Sequence, residues 1–485
     1  MNQKHPLILE INTLPWLYHL SQKEQKEITL KNIPTEILDE FRHYNAIWLM
    51  GVWERSEESV KIAKEHIGLQ GEYKSALPDF SKEDVIGSPY AVKNYAPDFR
   101  IGGKEGLKAF HDTLRYLGKS LILDFVPNHT AIDHPWVKSH PEYYIQGDFN
   151  DLLENPDLFV KISSKLYAHG KDPYFPPWTD TLQVNAFSED YRDQTIRTLH
   201  EIQQYCEGVR CDMAMLLVSS VFETTWGKYV PKSQHTEFWK EIIPSIKQNN
   251  SNFKFIAEVY WDMEWELLQQ GFDYCYDKTL YDRLLSDPPR SIRSHLQADW
   301  DYSTKLVRFI ENHDEKRAIS SFGLEESMCA ATIAMCLPGA RLVYYGQQLG
   351  FRTKLPIQLR RWSKEEENTK IKHFYEELLS IVHKYLTESN LWNLGRATKK
   401  NTPEWENPMV SYYWNLSGFL IYVIVNFSSQ NVNCVLDLTS HRQDISYEIT
   451  SLLHRNAEKL ECTLNNPVLE LNFDPWGLQI LKLSY

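Results

Sequence analysis

The stretch DYRDQTIRTLHEIQQYCEGVRCD, residues 190–212, decides the fold. Apolar residues spaced three and four apart predict a helix over residues 190–206. The short apolar run at residues 208–212 predicts a buried strand that ends on charged side chains. A helix that leads into a buried strand is the repeating unit of a parallel sheet.

The same alternation runs through most of the chain. Eight short apolar runs are separated by amphipathic stretches, which predicts an α/β fold built on a closed (β/α)8 TIM barrel. The predicted strands are residues 8–12, 46–51, 120–125, 208–212, 255–258, 272–276, 307–311 and 341–345. The predicted helices are residues 34–44, 103–117, 190–206, 238–247 and 328–336.

Two connections, residues 54–101 and 131–185, are longer than barrel loops need, and such loops are usually functional or form a small subdomain. From Thr402 onward the pattern changes to alternating strands, which predicts a separate antiparallel, β-sandwich-like domain. The predicted domains are a barrel over residues 1–130 and 186–395, a loop subdomain over 131–185 inserted after strand 3, and a C-terminal β domain over 402–485.

Composition excludes several classes of protein. The 485 residues carry 65 acidic and 52 basic side chains, and the net charge of -13 would repel nucleic acid. Seven widely spaced cysteines without a CxxC pair argue against a disulfide framework and a zinc site. The N-terminal apolar run indicates a barrel strand, not a signal peptide, and no stretch is long enough to span a membrane. We therefore expect a cytoplasmic protein that binds neither nucleic acid nor membrane.

Polar groups end four of the predicted strands, at the face where barrel enzymes place their active sites. These segments are LDFVPNH (123–129), GVRCD (208–212), FIAEVYW (255–261) and FIENHD (309–314). Burying an unpaired carboxylate is costly, so Asp212, Glu258 and Asp314 must meet partners or line a pocket that solvent reaches. We expect the pocket.

In this order, the four segments resemble the conserved regions of the α-amylase family of glycoside hydrolases, family 13. The resemblance covers about residues 5–395, and a C-terminal β domain is typical of that family. It implies that Asp212 is the nucleophile and Glu258 the general acid/base. It also implies that Asp314 orients the sugar and stabilises the transition state.

The chemistry accounts for these residue types independently. A retaining mechanism needs two carboxyl groups about 5 to 5.5 Å apart, one ionised to attack the anomeric carbon and one protonated to supply the leaving oxygen. Arg210 precedes Asp212 by two residues, so both side chains leave a strand on the same side. A guanidinium there is expected to keep Asp212 ionised. Glu258, facing two aspartates, is expected to hold its proton.

The resemblance implies four further site residues. His129 and His313 are similar to the histidines that hydrogen-bond sugar hydroxyls, and each follows an asparagine beside a catalytic segment. Asp124 resembles the residue that braces Arg210. Tyr90, in GSPY, resembles the aromatic platform under the same sugar ring. The stretch PWTDTLQVNAF (177–187) resembles a further family signature.

Some positions depart from the pattern of the α-amylase family, and they narrow the range of expected substrates and metal ions. Met215 and Leu216 stand where many α-amylases have Lys and His for substrate and calcium. Asn128 matches a calcium-ligand position, but calcium takes six to eight oxygens and one amide does not make a site. Ala91 stands where related exo-acting α-glucosidases often have Asp. We predict no cofactor and no required metal, with calcium left open.

The sequence thus predicts a retaining glycoside hydrolase acting on α-glucosidic bonds of small or oligomeric substrates, with the oligomeric state open. A transglycosylase or sucrose-type phosphorylase would use the same catalytic residues and pass the glycosyl group to another acceptor. A non-catalytic carbohydrate-binding or interaction protein is the alternative outside enzymes. It would usually lack one of the three carboxylates, and this chain keeps all three.

Overall fold

The computed structural model describes residues 3–231, 236–389, 391–439, 441, 446–465 and 467–485. Eight parallel strands close into a barrel in the order β1-β8-β7-β6-β5-β4-β3-β2, which confirms the predicted α/β barrel. The barrel strands are β1 (Leu7–Asn12), β2 (Ala46–Met50), β3 (Ser120–Phe125), β4 (Gly208–Cys211), β5 (Lys254–Ala257), β6 (Tyr274–Tyr276), β7 (Leu306–Arg308) and β8 (Ala340–Tyr344).

Helices follow and connect these strands. The α-helices are Thr13–Glu24, Thr35–Asp39, Glu57–Glu65, Ile67–Ala76, Gly103–Tyr116, Trp136–Ser139, Phe149–Glu154, Glu189–Ile202, Ser219–Trp226, Phe238–Lys247, Glu264–Gln269, Lys278–Ser286, Pro289–His295, Trp300–Ser303, Ala318–Ser321, Leu324–Met335 and Thr369–Ile381. In Gly103–Tyr116, the buried residues Leu107, Phe110 and Leu114 follow the three-and-four spacing of one helix face.

The stretch that decides the fold forms the elements expected of it. The helix Glu189–Ile202 begins at Ser188, whose side chain accepts a hydrogen bond from the backbone N–H of Tyr191. The chain then enters β4, whose four residues are all buried. Because β4 lies between β3 and β5, its backbone groups are paired on both sides and only its two faces are left to pack.

The first long connection adds two helices, Glu57–Glu65 and Ile67–Ala76, and a short antiparallel pair, Trp53–Arg55 with Val92–Pro97. In this connection Asp84 is buried and accepts hydrogen bonds from the guanidinium of Arg361 at 2.7 and 2.8 Å. These hydrogen bonds attach the segment around Arg361 to the first long connection, which also contains Tyr90.

The second long connection, residues 131–185, contains a three-stranded sheet of Gln146–Gly147, Lys165–Ala168 and Phe159–Ile162. At its start, His129–Ala131 pairs antiparallel with Thr181–Gln183 at its end. The chain therefore enters and leaves the insertion through two strands that pair with each other.

The C-terminal strands are β9 (Leu391–Leu394), β10 (Arg396–Lys399), β11 (Met409–Leu416), β12 (Phe419–Asn426), β13 (Val432–Asp437), β14 (Tyr447–Ala457), β15 (Glu461–Leu464) and β16 (Val468–Ser484). They form an antiparallel sheet in the order β9-β11-β12-β16-β13-β10, with β14 paired to β15 and β16. The sheet begins before Thr402, because β9 and β10 precede that residue.

The described chain forms two compact units. The first comprises residues 10–276 with 353–364, and the second comprises the segment up to Leu9, residues 277–352 and residues 365–485. The division into three domains made from the sequence stays a prediction. Within the described ranges, no helix is long and apolar enough to cross a membrane.

Candidate active site

Three neighbouring barrel strands of the first unit end side by side. Arg210 on β4 lies in register with Asp124 on β3 and with Ile256 on β5. Asp212 follows the end of β4, and Glu258 follows the end of β5. Because parallel strands present their carboxyl ends at one edge, the register gathers these charged side chains there.

The guanidinium of Arg210 links the two predicted catalytic carboxylates. Its Nη1 donates to Asp212 Oδ1 at 2.7 Å, and its Nη2 lies 2.8 Å from Glu258 Oε2. The contact with Glu258 is an ion pair, without the alignment of a hydrogen bond. All three side chains are almost fully buried, with 1%, 7% and 3% exposed, so one buried positive charge is shared between two acids.

The backbone after β4 also holds Glu258. Met213 has a left-handed conformation with φ of 45°, and its N–H donates to Glu258 Oε2 at 2.7 Å. The N–H of Ala214 donates to the carbonyl oxygen of Glu258 at 3.1 Å, and the N–H of Glu258 donates to the carbonyl oxygen of Cys211 at 3.1 Å. The main chain therefore fixes the two strand ends against each other.

Tyr260 supplies another donor to Glu258. Its hydroxyl donates to Oε1 at 2.9 Å, while Oε2 faces the donors of Met213 and Arg210. Both oxygens of Glu258 thus act as acceptors in this arrangement. A carboxylic acid that gives its proton to a leaving oxygen must present an O–H. The Tyr260 hydroxyl can therefore hold the carboxyl group of Glu258 in place or release it. The sequence did not predict this role.

Asp124 is held in place by groups from β2 and the turn after it. Trp48 Nε1 donates to Oδ1 at 3.2 Å, and the N–H of Gly51 donates to Oδ2 at 3.1 Å. Oδ1 also lies 3.6 Å from Arg210 Nη1. Asp124 is thus placed to orient Arg210, which suits the role predicted for Asp124. Its contact with the guanidinium is longer than the contact between the guanidinium and Asp212.

Aromatic rings surround the same guanidinium. Arg210 Cζ lies 5.3, 5.1 and 5.9 Å from the ring centroids of Trp48, Tyr90 and Tyr276. Such rings attract a cation through their negative faces. Tyr90, predicted to lie under a sugar ring, is 9% exposed and contacts the arginine that links the carboxylates. Its role toward a sugar stays a prediction.

The ionisation of Asp212 differs from the expectation based on Arg210 alone. Its pKa is raised from 3.8 to about 8. Burial is the main cause and the negative charge of Glu258 adds to it, whereas the charge and hydrogen bond of Arg210 lower the pKa. Desolvation dominates because the carboxyl is out of water and Arg210 is shared.

His129 lies at the start of the long insertion and is 4% exposed. Burial lowers its pKa to about 4, against a hydrogen bond to the backbone of Tyr90 that raises it. The imidazole is therefore neutral at pH 7, with one nitrogen that donates and one that accepts. Its ring lies 5.0 Å from that of Trp178. A neutral imidazole suits the predicted hydrogen bond to a sugar hydroxyl.

His313 and Asp314 belong to the second unit. His313 Nε2 lies 3.0 Å from Asp314 Oδ2, and the Asp314 side chain is 43% exposed. Asn312 Oδ1 accepts from the backbone N–H groups of Asp314 and Glu315 at 2.9 and 3.0 Å, so a turn fixes the position of Asp314. The predicted roles of His313 and Asp314 stay predictions.

Two exposed aromatic residues of the first unit were also missed by the sequence reasoning. Trp261, three residues after Glu258, is 38% exposed, and Tyr174 of the long insertion is 71% exposed. Their rings meet edge to face, with centroids 5.0 Å apart. Asp172 Oδ1 accepts from the N–H groups of Tyr174 and Phe175 at 2.7 and 3.0 Å, which fixes the turn that carries Tyr174.

The backbone beside Glu258 is strained. Trp261 and Asp262 have φ of 63° and 58°, a left-handed conformation that costs a non-glycine residue about 1 to 3 kcal/mol. Two such residues in succession turn the chain sharply and present the Trp261 ring to solvent. Strain of this kind clusters at functional sites.

The possible calcium ligand Asn128 is engaged within the protein. Gln183 Nε2 donates to Asn128 Oδ1 at 3.0 Å and to its carbonyl oxygen at 2.9 Å. Met215 and Leu216 are buried, with 0% and 3% exposed. In the part of the chain that the structure describes, no three His, Cys, Asp or Glu side chains form a metal-binding group.

The chain is similar in sequence to α-amylases. The chain is 24% identical over 252 residues to α-amylase 3 of Dictyoglomus thermophilum, covering 49% of this chain and 48% of that protein. It is 24% identical over 339 residues to the α-amylase MalA of Haloarcula japonica, covering 68% of this chain and 46% of that protein. The chain thus spans about half the length of these relatives. No family model matches the chain.

The fold of the chain is similar to that of a solved α-amylase structure. The noncanonic maltogenic α-amylase AmyB of Thermotoga neapolitana superposes with a TM-score of 0.69 at 18% identity, covering 100% of both chains. The homologues and structural neighbours of this chain are α-amylase family enzymes. The resemblance inferred from four strand ends is thereby confirmed, while the catalytic roles of Asp212, Glu258 and Arg210 stay predictions.

Proposed function

We propose that the protein is a retaining glycoside hydrolase that cleaves α-glucosidic bonds of oligosaccharides or α-glucans. The observation that carries the proposal is the pair Asp212 and Glu258, placed on one buried guanidinium at adjacent strand ends. Two carboxyl groups held this near each other suit a double displacement, which needs about 5 to 5.5 Å between them. The names of the relatives, two α-amylases, support an α-glucan substrate.

In the proposed first step, the proton that the two acids share lies on Glu258, and the ionised Asp212 attacks the anomeric carbon as the glycosidic C–O bond breaks. Glu258 gives its proton to the departing oxygen, and a covalent glycosyl ester forms on Asp212. In the second step, Glu258 takes a proton from water, whose oxygen attacks the same carbon and releases Asp212. Arg210 faces both acids throughout and stabilises whichever one is charged.

The transfer of the glycosyl group to a sugar or phosphate, in place of water, uses the same first step. The exposed rings of Trp261 and Tyr174 could hold the leaving part of an oligosaccharide or an incoming acceptor sugar, so they favour neither outcome. No cofactor is part of this proposal. A cytoplasmic location stays a prediction.

The test is the hydrolysis of maltooligosaccharides, followed by proton NMR of the fresh product and repeated with glucose or phosphate added. We expect an α-anomer at first, which shows retention, and free sugar as the main product. An initial β-anomer would overturn the assignment of Asp212 as nucleophile. A glucosyl phosphate or a longer oligosaccharide as main product would favour transfer over hydrolysis.

A further inference from the structure

A cavity lies at the edge of the C-terminal sheet, within the second unit. Its volume is about 520 Å³, which falls in the range of about 300 to 1,000 Å³ that small-molecule sites occupy. The walls come from edge strand β9, from β11 and β12, and from residues 296–303. Lining side chains with aromatic or hydrogen-bonding groups include Gln297, Trp300, Trp392, Asn393, Arg396 and Tyr413.

The strand register explains the aromatic walls. Asn393, Tyr413 and Tyr422 lie opposite one another on three adjacent strands, so their side chains share one face of the sheet. The rings of Tyr413 and Tyr422 stack with centroids 4.8 Å apart. Trp392, next to Asn393 on the edge strand, points to the other face. The cavity therefore wraps around the edge of the sheet.

The polar groups of the cavity are mostly donors. The Arg396 side chain is 68% exposed, and its ion pair with Asp437 is long, at 3.9 Å. The indole N–H of Trp392 is buried and has no acceptor among the described residues. Gln297 and Asn393 are exposed and add amide groups. The exposed groups of Arg396, Gln297 and Asn393 offer hydrogen bonds beside flat apolar surfaces.

This combination suits a neutral polyhydroxyl ring. The C–H face of a sugar packs on an aromatic ring, while its hydroxyls accept from the Arg396 guanidinium and exchange hydrogen bonds with the Asn393 amide. A strongly anionic ligand would find one cation, which Asp437 partly neutralises. A cationic ligand would find no carboxylate among the described residues that line the cavity.

We propose that this cavity is a second carbohydrate site, which binds part of an α-glucan chain within the second unit. The choice of an α-glucan as ligand rests on the proposed function.

The test is calorimetric titration with maltoheptaose in an Asp212→Asn background, which prevents turnover. We expect two molecules bound per chain. Trp392→Ala should remove one binding event or weaken binding about tenfold, as expected for the loss of a buried aromatic anchor. Asn393→Ala with Arg396→Ala, both exposed, tests the same site if Trp392→Ala fails to fold. Trp405→Ala is the matched control, because this tryptophan is 64% exposed in the same unit and does not line the cavity.

Turnover of p-nitrophenyl α-maltoside by the otherwise unchanged enzyme separates the two proposals. If the enzyme turns over this substrate while neither set of cavity variants alters maltoheptaose binding, the second site is overturned and the proposed function stands. If no α-glucoside is turned over but Trp392→Ala still abolishes binding, the proposed function fails and the sugar site stands. Equal losses in Trp392→Ala and Trp405→Ala would also overturn the site.

Discussion

Tyr260 donates a hydrogen bond from its hydroxyl to Glu258 Oε1 at 2.9 Å, from two residues further along the chain. The hydroxyl is thus a positioning group for the proposed general acid. It can keep the carboxyl turned toward the site and release it when a glycosidic oxygen arrives.

Tyr260→Phe removes that hydrogen bond and keeps the ring. We expect kcat on maltotriose to fall about twofold to tenfold, since a hydrogen bond contributes about 0.5 to 1.5 kcal/mol. The loss on p-nitrophenyl α-maltoside should be smaller, because this leaving group needs little protonation. Tyr116→Phe, at a 90% exposed position, is the control. Equal losses on both substrates would count against a role through Glu258.

Glu258→Gln keeps the shape of the side chain and removes the acidic proton. Turnover of maltooligosaccharides should fall by about 10² to 10⁴, the usual contribution of general acid catalysis. Formation of the glycosyl-enzyme from activated aryl glucosides should fall far less. Values of kcat/KM with both kinds of substrate measure the difference, because they report the first step, and an equal loss on both would exclude Glu258 as the acid.

The pKa of Asp212 predicts a pH dependence of stability. Burial raises this pKa from 3.8 to about 8 in the folded protein, so between these two pH values the folded state binds a proton that the unfolded state has released. The contribution of this group to stability is therefore fully present below pH 4 and is lost as pH rises toward 8.

Asp212→Asn removes this proton linkage and should be inactive. The melting temperature of the variant, measured relative to that of the wild type at several pH values, should increase as pH rises from about 4 to about 8. A difference in melting temperature that stays constant over this range would show that Asp212 is already ionised at low pH.

Removal of calcium should leave the enzyme active. Asn128 is paired with Gln183, and the side chains of Met215 and Leu216 are buried and carry no oxygen that could bind calcium. We expect the same kcat and the same melting temperature after dialysis against EDTA. A loss of either that added calcium restores would contradict this prediction.

The exposed ring pair should select for substrate length. Trp261→Ala and Tyr174→Ala are each expected to raise KM for maltooligosaccharides about threefold to tenfold, corresponding to about 0.7 to 1.4 kcal/mol. KM for p-nitrophenyl α-glucoside should change little. Trp265→Ala, at a 55% exposed position, is the matched control, and an effect of the same size there would contradict a specific contact.

Periodicity predicted the barrel well, because its strands are buried apolar runs with regular helices between them. It also predicted the pairing of Arg210 with Asp212, since side chains two apart on a strand share a side. The start of the C-terminal sheet was missed. In Leu391–Leu394, Leu391 and Asn393 are exposed and Trp392 and Leu394 are half-buried, so apolar residues lie on both faces and the sequence does not alternate between apolar and polar residues.

The remaining features of the site depend on tertiary structure. The ionisation of Asp212 depends on how completely the fold excludes water, which a sequence does not contain. The ring pair of Trp261 and Tyr174 joins residues 87 positions apart in the chain. The left-handed turn at Trp261 uses no glycine, so no local signal marks it.

The main-chain bonds between the ends of β4 and β5 have a consequence for how this site can change. The N–H groups of Met213 and Ala214, not exchangeable side chains, fix the spacing of the two acids. In the proposed mechanism, the stereochemical course is thus set by the backbone, whereas the exposed rings of Trp261 and Tyr174 stand outside the barrel strands. Substitutions at these two rings are therefore expected to change substrate preference and to leave the anomeric outcome unchanged.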